Sequence, residues 1–102
     1  MNYWKWLSKP KEEQQFNVIV LNDDFHTFHY VIEVLCKICG HGEQHAFLLA
    51  KAVDDTGRAI VWTGTLELAE QKRDQIRGFG PDTHAQTPVE FPLGVVIEPL
   101  PA

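Results

Sequence analysis

Three consecutive polar residues, Asn22, Asp23 and Asp24, form a compact group of hydrogen-bond acceptors. Carboxylates and an amide oxygen together suit a ligand that presents several N–H donors, such as an ammonium group. The alternative is an Asx turn, in which an aspartate side chain accepts from backbone N–H groups as the chain enters a helix. The residues alone leave both interpretations open.

The segments on either side of this triplet predict the elements that position it. The β-branched apolar run at 18–21 predicts a short buried strand over 17–21. After the triplet, Thr27 is a candidate N-cap of an amphipathic helix, and Gly40 is a candidate residue for its left-handed end. The apolar spacing along this helix predicts one buried face, made of Phe28, Val31, Ile32, Leu35 and Cys39. A strand thus delivers acceptors to the rim of an apolar surface.

The rest of the chain predicts two more helices and two more strands. A helix over 43–54 is followed by a turn at 55–57 and a strand over 58–63. Thr65 then caps a helix to about 77, and a loop at 82–92 precedes a last strand over 94–98, which Pro99 ends. The order β-α-α-β-α-β predicts an α/β protein of the α+β sandwich kind, a small three-stranded sheet with three helices on one face. We expect a core domain over 16–102 and a flexible arm over 1–15.

The composition indicates one small domain with an acidic balance. The chain has 102 residues, 44% of them hydrophobic, and a formal net charge of −5. That charge argues against nucleic acid or an anionic membrane surface as a partner, because binding phosphates needs concentrated Lys and Arg. No apolar run approaches the roughly 18 residues of a membrane span, and the first residues lack a secretory apolar region. A cytoplasmic location is therefore expected.

Cys36 and Cys39 form a C-x-x-C pair, and His41 and His45 follow closely. Zinc is one interpretation, but both cysteines fall inside the predicted helix, whereas zinc sites usually place such pairs on tight turns. A redox role also fits poorly, because reactive thiols favour helix N-termini and these two lie near a C-terminus. We therefore expect buried or half-buried thiols, and we predict no metal site and no cofactor.

Several motifs taken together resemble the ClpS family of bacterial Clp protease adaptors. They are VIVLNDDF at 18–25, FHYVIEVL at 28–35, GRAIV at 57–61 and ELAEQK at 67–72. The similarity covers about residues 16–80 and the final strand. Each motif alone is weak, but the combination at these separations is specific.

The resemblance implies an adaptor and not an enzyme. Family members bind proteins whose first residue is bulky and apolar (Leu, Phe, Tyr or Trp) and deliver them to the N-terminal domain of the ClpA or ClpC unfoldase. The resemblance assigns the binding of the substrate's α-amino group to Asn22, Asp23, Asp24 and Asp54. It assigns the side-chain pocket to His26, Phe28, Val31, Ala50 and Val53. Contact with the unfoldase falls to Glu67 and Lys72, for which a solvated helix face is the alternative.

The chain departs from the family pattern at positions that shape the pocket. Asp54 stands where the family usually has a histidine, so it either accepts from the amine, directly or through water, or is a solvated helix residue. Phe28 and Ala50 stand where methionine is usual, which leaves the preferred first residue open. His26 replaces a small polar residue and either approaches the ligand or is exposed and inert. The loop at 82–92 is an addition to the family pattern.

Three functions follow from these residues. The first is the adaptor that binds N-terminal residues, and it is the one that we predict. The second keeps the fold with an altered pocket and modulates a Clp unfoldase without delivering substrates. The third is an enzyme that uses Asp23 and Asp24 as an acid/base pair or as metal ligands. Only the paired carboxylates favour it, because the sequence has no phosphate-binding loop, nucleophile–base pair or third metal ligand.

Overall fold

The computed structural model describes residues 14–101. Its three strands are β1 (Phe16–Leu21), β2 (Arg58–Gly64) and β3 (Val95–Pro99), and its three helices are α1 (Phe28–Cys39), α2 (Glu43–Thr56) and α3 (Leu66–Arg77). The predicted α+β class and element order are confirmed. The predicted arm lies outside the described residues except for Gln14 and Gln15. Among the described residues, no helix is long and apolar enough to cross a membrane.

The central strand of the sheet is β1. The strand order is β2-β1-β3, and both pairings are antiparallel. Val18 and Val20 are fully buried and belong to the core, together with Val61 and Val95 from the flanking strands. Because β1 is hydrogen-bonded on both sides, the loop that leaves it at Leu21 starts from a rigid position.

The helix ends follow the predicted capping residues. Thr27 precedes α1, and its Oγ1 accepts from the backbone N–H of Tyr30 at 3.2 Å. Gly40 ends the same helix with φ of 74°, a left-handed conformation that favours glycine. Thr65 caps α3 in the same way as Thr27 caps α1. The N-cap at Thr27 matters for the site, because the acidic loop enters α1 there.

Two predicted boundaries are wrong by a few residues. Asp55 and Thr56 belong to α2 and not to a turn. The hydroxyl of Thr56 donates to the Ala52 carbonyl at 2.7 Å, and the helix ends only at Gly57, where φ is 92°. The last strand begins at Val95 and not at the predicted Gly94, and Pro99 is its final residue, which an edge strand tolerates because one row of its backbone groups is unpaired.

The predicted buried face of α1 is rotated from the observed one. The buried residues of this helix are Tyr30, Val31, Val34 and Leu35. Phe28 is 40% exposed and Cys39 is half-buried. Tyr30 is buried because its hydroxyl donates to the Gly80 carbonyl at 2.5 Å, so the polar end of the ring is satisfied inside. Phe28 is thereby left at the helix edge, beside α2.

Candidate functional site

A hollow lies where the loop after β1 meets α1 and α2. Its volume is about 230 Å³. The residues that line it are Asn22, Asp23, Asp24, His26, Phe28, Val31, Ala50, Val53 and Asp54. These are the nine residues that the family resemblance assigned to the amine-binding group and the pocket, and the structure brings all of them together. The volume is below the roughly 300 Å³ at which pockets for drug-sized ligands begin, so the hollow suits a single side chain.

The backbone around the hollow is fixed by hydrogen bonds to two other elements. The N–H of Leu21 donates to the Gly94 carbonyl, and the N–H of Asn22 donates to the Gly57 carbonyl, both at 2.9 Å. The first bond ties the end of β1 to the start of β3, and the second ties the acidic loop to the end of α2. As a result, the triplet and Asp54 are held at the same edge of the hollow.

Asp23 forms the Asx turn that the sequence left as an alternative. Its Oδ1 accepts from the backbone N–H groups of Phe25 at 2.8 Å and His26 at 2.7 Å. Burial raises the pKa of Asp23, but the backbone and ring hydrogen bonds of His26 and the N–H of Phe25 outweigh it, so the pKa lies below its usual value of 3.8. Asp23 is therefore an anion that is already used to shape the loop.

The alternative of an exposed His26 is wrong, because the ring is buried between two hydrogen-bond partners. Its side chain is only 2% exposed, and its Nδ1 lies 2.6 Å from Oδ2 of Asp23. Its Nε2 lies 3.1 Å from the Phe91 carbonyl, and its ring packs against Tyr30 and Phe91. Both partners are acceptors, so both bonds form together only when each ring nitrogen carries a hydrogen. His26 lines the hollow, and its ring connects Asp23 to Phe91, which lies in a segment distant along the chain.

That distant segment is residues 82–92, which we call the strap. It is anchored by Asp82, a fully buried carboxylate that accepts from the Thr27 N–H at 2.7 Å and the Thr27 hydroxyl at 3.0 Å. Burial raises the pKa of Asp82, but the hydrogen bonds from Thr27 and His84 prevail, so the pKa is lowered from 3.8. Two backbone bonds between Asp82 and Val89 close the strap, at 2.8 and 3.0 Å. Sequence reasoning assigned no role to Asp82, because its partner lies 55 residues away.

The mouth and the wall of the hollow differ in chemistry. Asn22, Asp24 and Asp54 are exposed, and among residues 14–101 no hydrogen bond or ion pair engages the side chains of Asp24 and Asp54. The wall consists of Phe28 and three buried apolar residues, Val31, Ala50 and Val53. Because the Asp23 carboxylate is already engaged by Phe25 and His26, the carboxylates left open at the mouth are those of Asp24 and Asp54.

The two residues that the resemblance assigned to unfoldase contact differ in their surroundings. Glu67 is exposed in the first turn of α3. Lys72 is half-buried, since its Nζ donates to the Ile38 carbonyl at 2.8 Å and lies 5.8 Å from the centroid of the Trp62 ring. A purely solvated face therefore does not describe Lys72, which also binds the C-terminal end of α1.

Cys36 and Cys39 are free, half-buried thiols on α1. Burial raises the pKa of the Cys39 thiol to about 11, although the nearby Lys72 ammonium acts to lower it. Such a thiol stays protonated at neutral pH, whereas metal binding and thiol exchange use the thiolate. Within residues 14–101, no three His, Cys, Asp or Glu side chains are grouped to hold a metal ion.

Comparison with known proteins places these features in one family. A family model described as "ATP-dependent Clp protease adaptor protein ClpS" matches residues 11–95. The ClpS adapter protein of Nostoc sp. is 45% identical over 71 residues, which are 69% of this chain and 73% of that protein. The ClpS adapter protein of Deinococcus radiodurans is 34% identical over 92 residues, which are 90% and 76% of the two chains.

Among solved structures, Agrobacterium tumefaciens ClpS2 bound to L-phenylalaninamide is similar to this chain with a TM-score of 0.71. The two are 26% identical, and the match covers 84% of this chain and 96% of the other.

Proposed function

The chain belongs to the ClpS family of ATP-dependent Clp protease adaptor proteins, and on this premise we propose that it binds substrates by their first residue. The substrates are proteins that begin with a bulky apolar residue of the Leu, Phe, Tyr or Trp type. The chain delivers them to a Clp AAA+ unfoldase for degradation. The single observation that carries the proposal is an apolar hollow with accessible acceptors at its mouth.

The chemistry of the hollow matches both parts of an N-terminal residue. A free α-ammonium group presents N–H donors only, and Asn22, Asp24 and Asp54 present acceptors at the mouth. The apolar wall of Phe28, Val31 and its neighbours suits the first side chain. The A. tumefaciens relative was solved with L-phenylalaninamide, a small molecule that has both features, an α-amino group and a benzyl side chain.

The roles within the acidic triplet are unequal. Asp23 is already occupied by three hydrogen bonds, so we assign it to shaping the loop. Asn22 and Asp24, together with Asp54, make the direct contacts to the amine. An aspartate in place of histidine at position 54 adds a full negative charge, which strengthens the attraction for an ammonium group.

The expected affinity is modest. Burying one large apolar side chain is worth about 1.5–3 kcal/mol, and each hydrogen bond to a charged group about 1.5–3 kcal/mol. The entropy lost on association offsets much of this sum, which leaves an affinity on the micromolar scale. An adaptor that must release its substrate works well in that range.

Delivery is assigned to a different surface. We propose that Glu67 and Lys72 on α3 contact the N-terminal domain of a ClpA- or ClpC-type unfoldase, and that this takes place in the cytoplasm. The exposed Glu67 offers a charge for direct contact. The partly buried Lys72 is held in place by Ile38 and Trp62, so it contributes a preorganised cation.

The test is a binding screen with peptides that differ only at their first residue. A peptide that begins with Phe or Leu is expected to bind, and its N-acetylated form is expected not to bind, because acetylation removes the positive charge. A peptide that begins with Gly tests the apolar wall. Equal binding of the free and acetylated peptides would contradict the proposal and would favour a modulator of the unfoldase that does not recognise N-termini.

A further inference from the structure

A second hollow lies next to the pocket, at the N-terminal end of α2. It is shallow and open to solvent, and it is lined by Glu43, Gln44, Phe47 and Leu48. Phe47 is 48% exposed and Leu48 is 61% exposed, so their apolar surface faces solvent. Covering such surface with an apolar group is favourable, and large apolar side chains exposed side by side are characteristic of binding sites.

The two hollows share a wall. Phe28, which lines the pocket, stacks on Phe47, which lines the second hollow, with ring centroids 6.2 Å apart. Phe47, Ala50 and Asp54 also follow one side of α2 at helical spacing. Phe47 lies seven residues before Asp54, about 10 Å along the helix axis. The second hollow therefore continues the surface of the pocket, at the end far from Asp54.

We propose that the second hollow is a subsite for an apolar side chain at the third position of a bound N-terminal segment. This inference rests on the proposed function, because the pocket must hold the first residue. In an extended chain, alternate side chains point to the same face, and about 6.6–6.8 Å separates the first from the third. The stacked Phe28 and Phe47 rings line one hollow each, so the two hollows are neighbours on the same face of the protein. The second side chain then points to solvent.

The charges around both hollows limit which third residues fit. Glu43 lies in the first turn of α2, where the helix dipole favours a carboxylate, and Asp24 and Asp54 stand at the mouth of the pocket. None of the described residues that line the two hollows is Lys or Arg. Lys51, the nearest lysine along α2, is paired with Asp55 at 3.0 Å. An acidic third residue is therefore disfavoured, and a residue such as leucine is favoured.

The test compares peptides that begin Phe-Gly-Leu, Phe-Leu-Gly and Phe-Gly-Gly and are otherwise identical, by fluorescence anisotropy with the full chain. The Phe-Gly-Leu peptide is expected to bind about five- to tenfold more tightly than Phe-Gly-Gly, because part of a leucine side chain is buried. Leu48→Ser is expected to reduce this preference to within about twofold. Leu68→Ser makes the same change at an exposed leucine of α3 and is expected to keep the preference.

The possible contrary results are distinguishable. Equal affinity for Phe-Gly-Leu and Phe-Gly-Gly, with both lost on acetylation, would overturn the subsite and leave the proposed function standing. A gain with Phe-Leu-Gly alone would assign the hollow to the second residue and overturn the third-residue assignment. Dimerisation that Leu48→Ser abolishes, seen by sedimentation velocity, would give the hollow to a second copy of the chain. If no peptide binds, the proposed function and the subsite both fall.

Discussion

The carboxylates around the pocket are of two kinds: some fix the shape of the loop through hydrogen bonds, and others remain open to a ligand. Asp23 accepts from two backbone N–H groups and faces the His26 ring, so its position is fixed before any ligand arrives. Asp54 is exposed in the last turn of α2, where the helix dipole disfavours a negative charge. Because the Asp54 carboxylate does not stabilise α2, it is a good candidate for a role in binding a ligand.

Asp54→Ala is expected to weaken the binding of a peptide that begins with Phe by about 1–2 kcal/mol, or about five- to thirtyfold in Kd. The loss follows from removing an acceptor of the ammonium group, while the stability of the fold should not fall. Asp55→Ala is the matched control, since Asp55 is the next residue on α2 and pairs with Lys51 at the surface. Isothermal titration calorimetry measures both. Equal affinities of the two variants would remove Asp54 from the site.

The two aspartates that hold the loop and the strap in place make the stability of the fold depend on pH. Asp23 and Asp82 have pKa values below 3.8 in the folded state, because hydrogen bonds to their charged forms outweigh burial. A lowered pKa contributes stability above the unfolded value of about 3.8 and loses it as the pH falls through the folded pKa. The urea midpoint is therefore expected to be steady from pH 7 to about 5 and to drop below about 4. The double variant Asp23→Asn, Asp82→Asn should show a smaller drop, and an unchanged drop would contradict this assignment.

At the scale of elements, the strap connects the C-terminal part of the chain to the entrance of the pocket. Asp82 accepts from the backbone N–H and the hydroxyl of Thr27 at the start of α1. The Phe91 carbonyl faces the ring of His26. The Phe91 ring also meets Phe25 edge-on at 5.6 Å. The acidic loop is thereby fixed from both ends of the strap, so the strap is a structural support of the pocket.

Asp82→Ala is expected to destabilise the fold by about 3 kcal/mol, because it leaves the Thr27 N–H without its charged acceptor inside the protein. Chemical denaturation measures this loss. Asp82→Asn, which keeps one acceptor oxygen, is expected to restore part of it. Asp55→Ala is the control and should cost less than about 1 kcal/mol, since its pair with Lys51 is exposed. A cost for Asp82→Ala no larger than for this control would show that the strap is not anchored there.

The contrast between the pocket and the strap shows what a sequence can predict. Phe28, Val31, Ala50 and Val53 lie on periodic helices, and the family motifs fix their order, so their meeting at one hollow could be predicted. The anchoring of Asp82 could not, because a loop has no periodicity and its partner Thr27 is distant along the chain. The buried face of α1 could not be predicted for a related reason. Tyr30 can be buried because its hydroxyl donates a hydrogen bond to the Gly80 carbonyl, and Gly80 is distant along the chain.

At the scale of the whole molecule, the surfaces that we propose for substrate binding and for delivery lie on different elements. The pocket is formed by the loop after β1 together with α1 and α2, whereas the proposed unfoldase contacts lie on α3. Lys72 spans this division, because its ammonium group binds the Ile38 carbonyl near the end of α1. Its substitution should therefore affect stability as well as delivery, and Glu67 is the cleaner probe of the unfoldase surface.

Glu67→Lys is expected to separate the two activities. Peptide affinity should stay within about twofold, because Glu67 does not line the pocket, while degradation of a Phe-starting reporter by the unfoldase and its protease should fall about tenfold or more. Asp74→Lys reverses an exposed charge elsewhere on α3 and should leave delivery nearly intact. Lys72→Ala should reduce delivery and also cost about 1 kcal/mol of stability through the lost bond to Ile38. Degradation that is unaffected by Glu67→Lys would move the unfoldase contact to another surface, whereas a parallel loss of peptide binding would show that the substitution disturbs the fold.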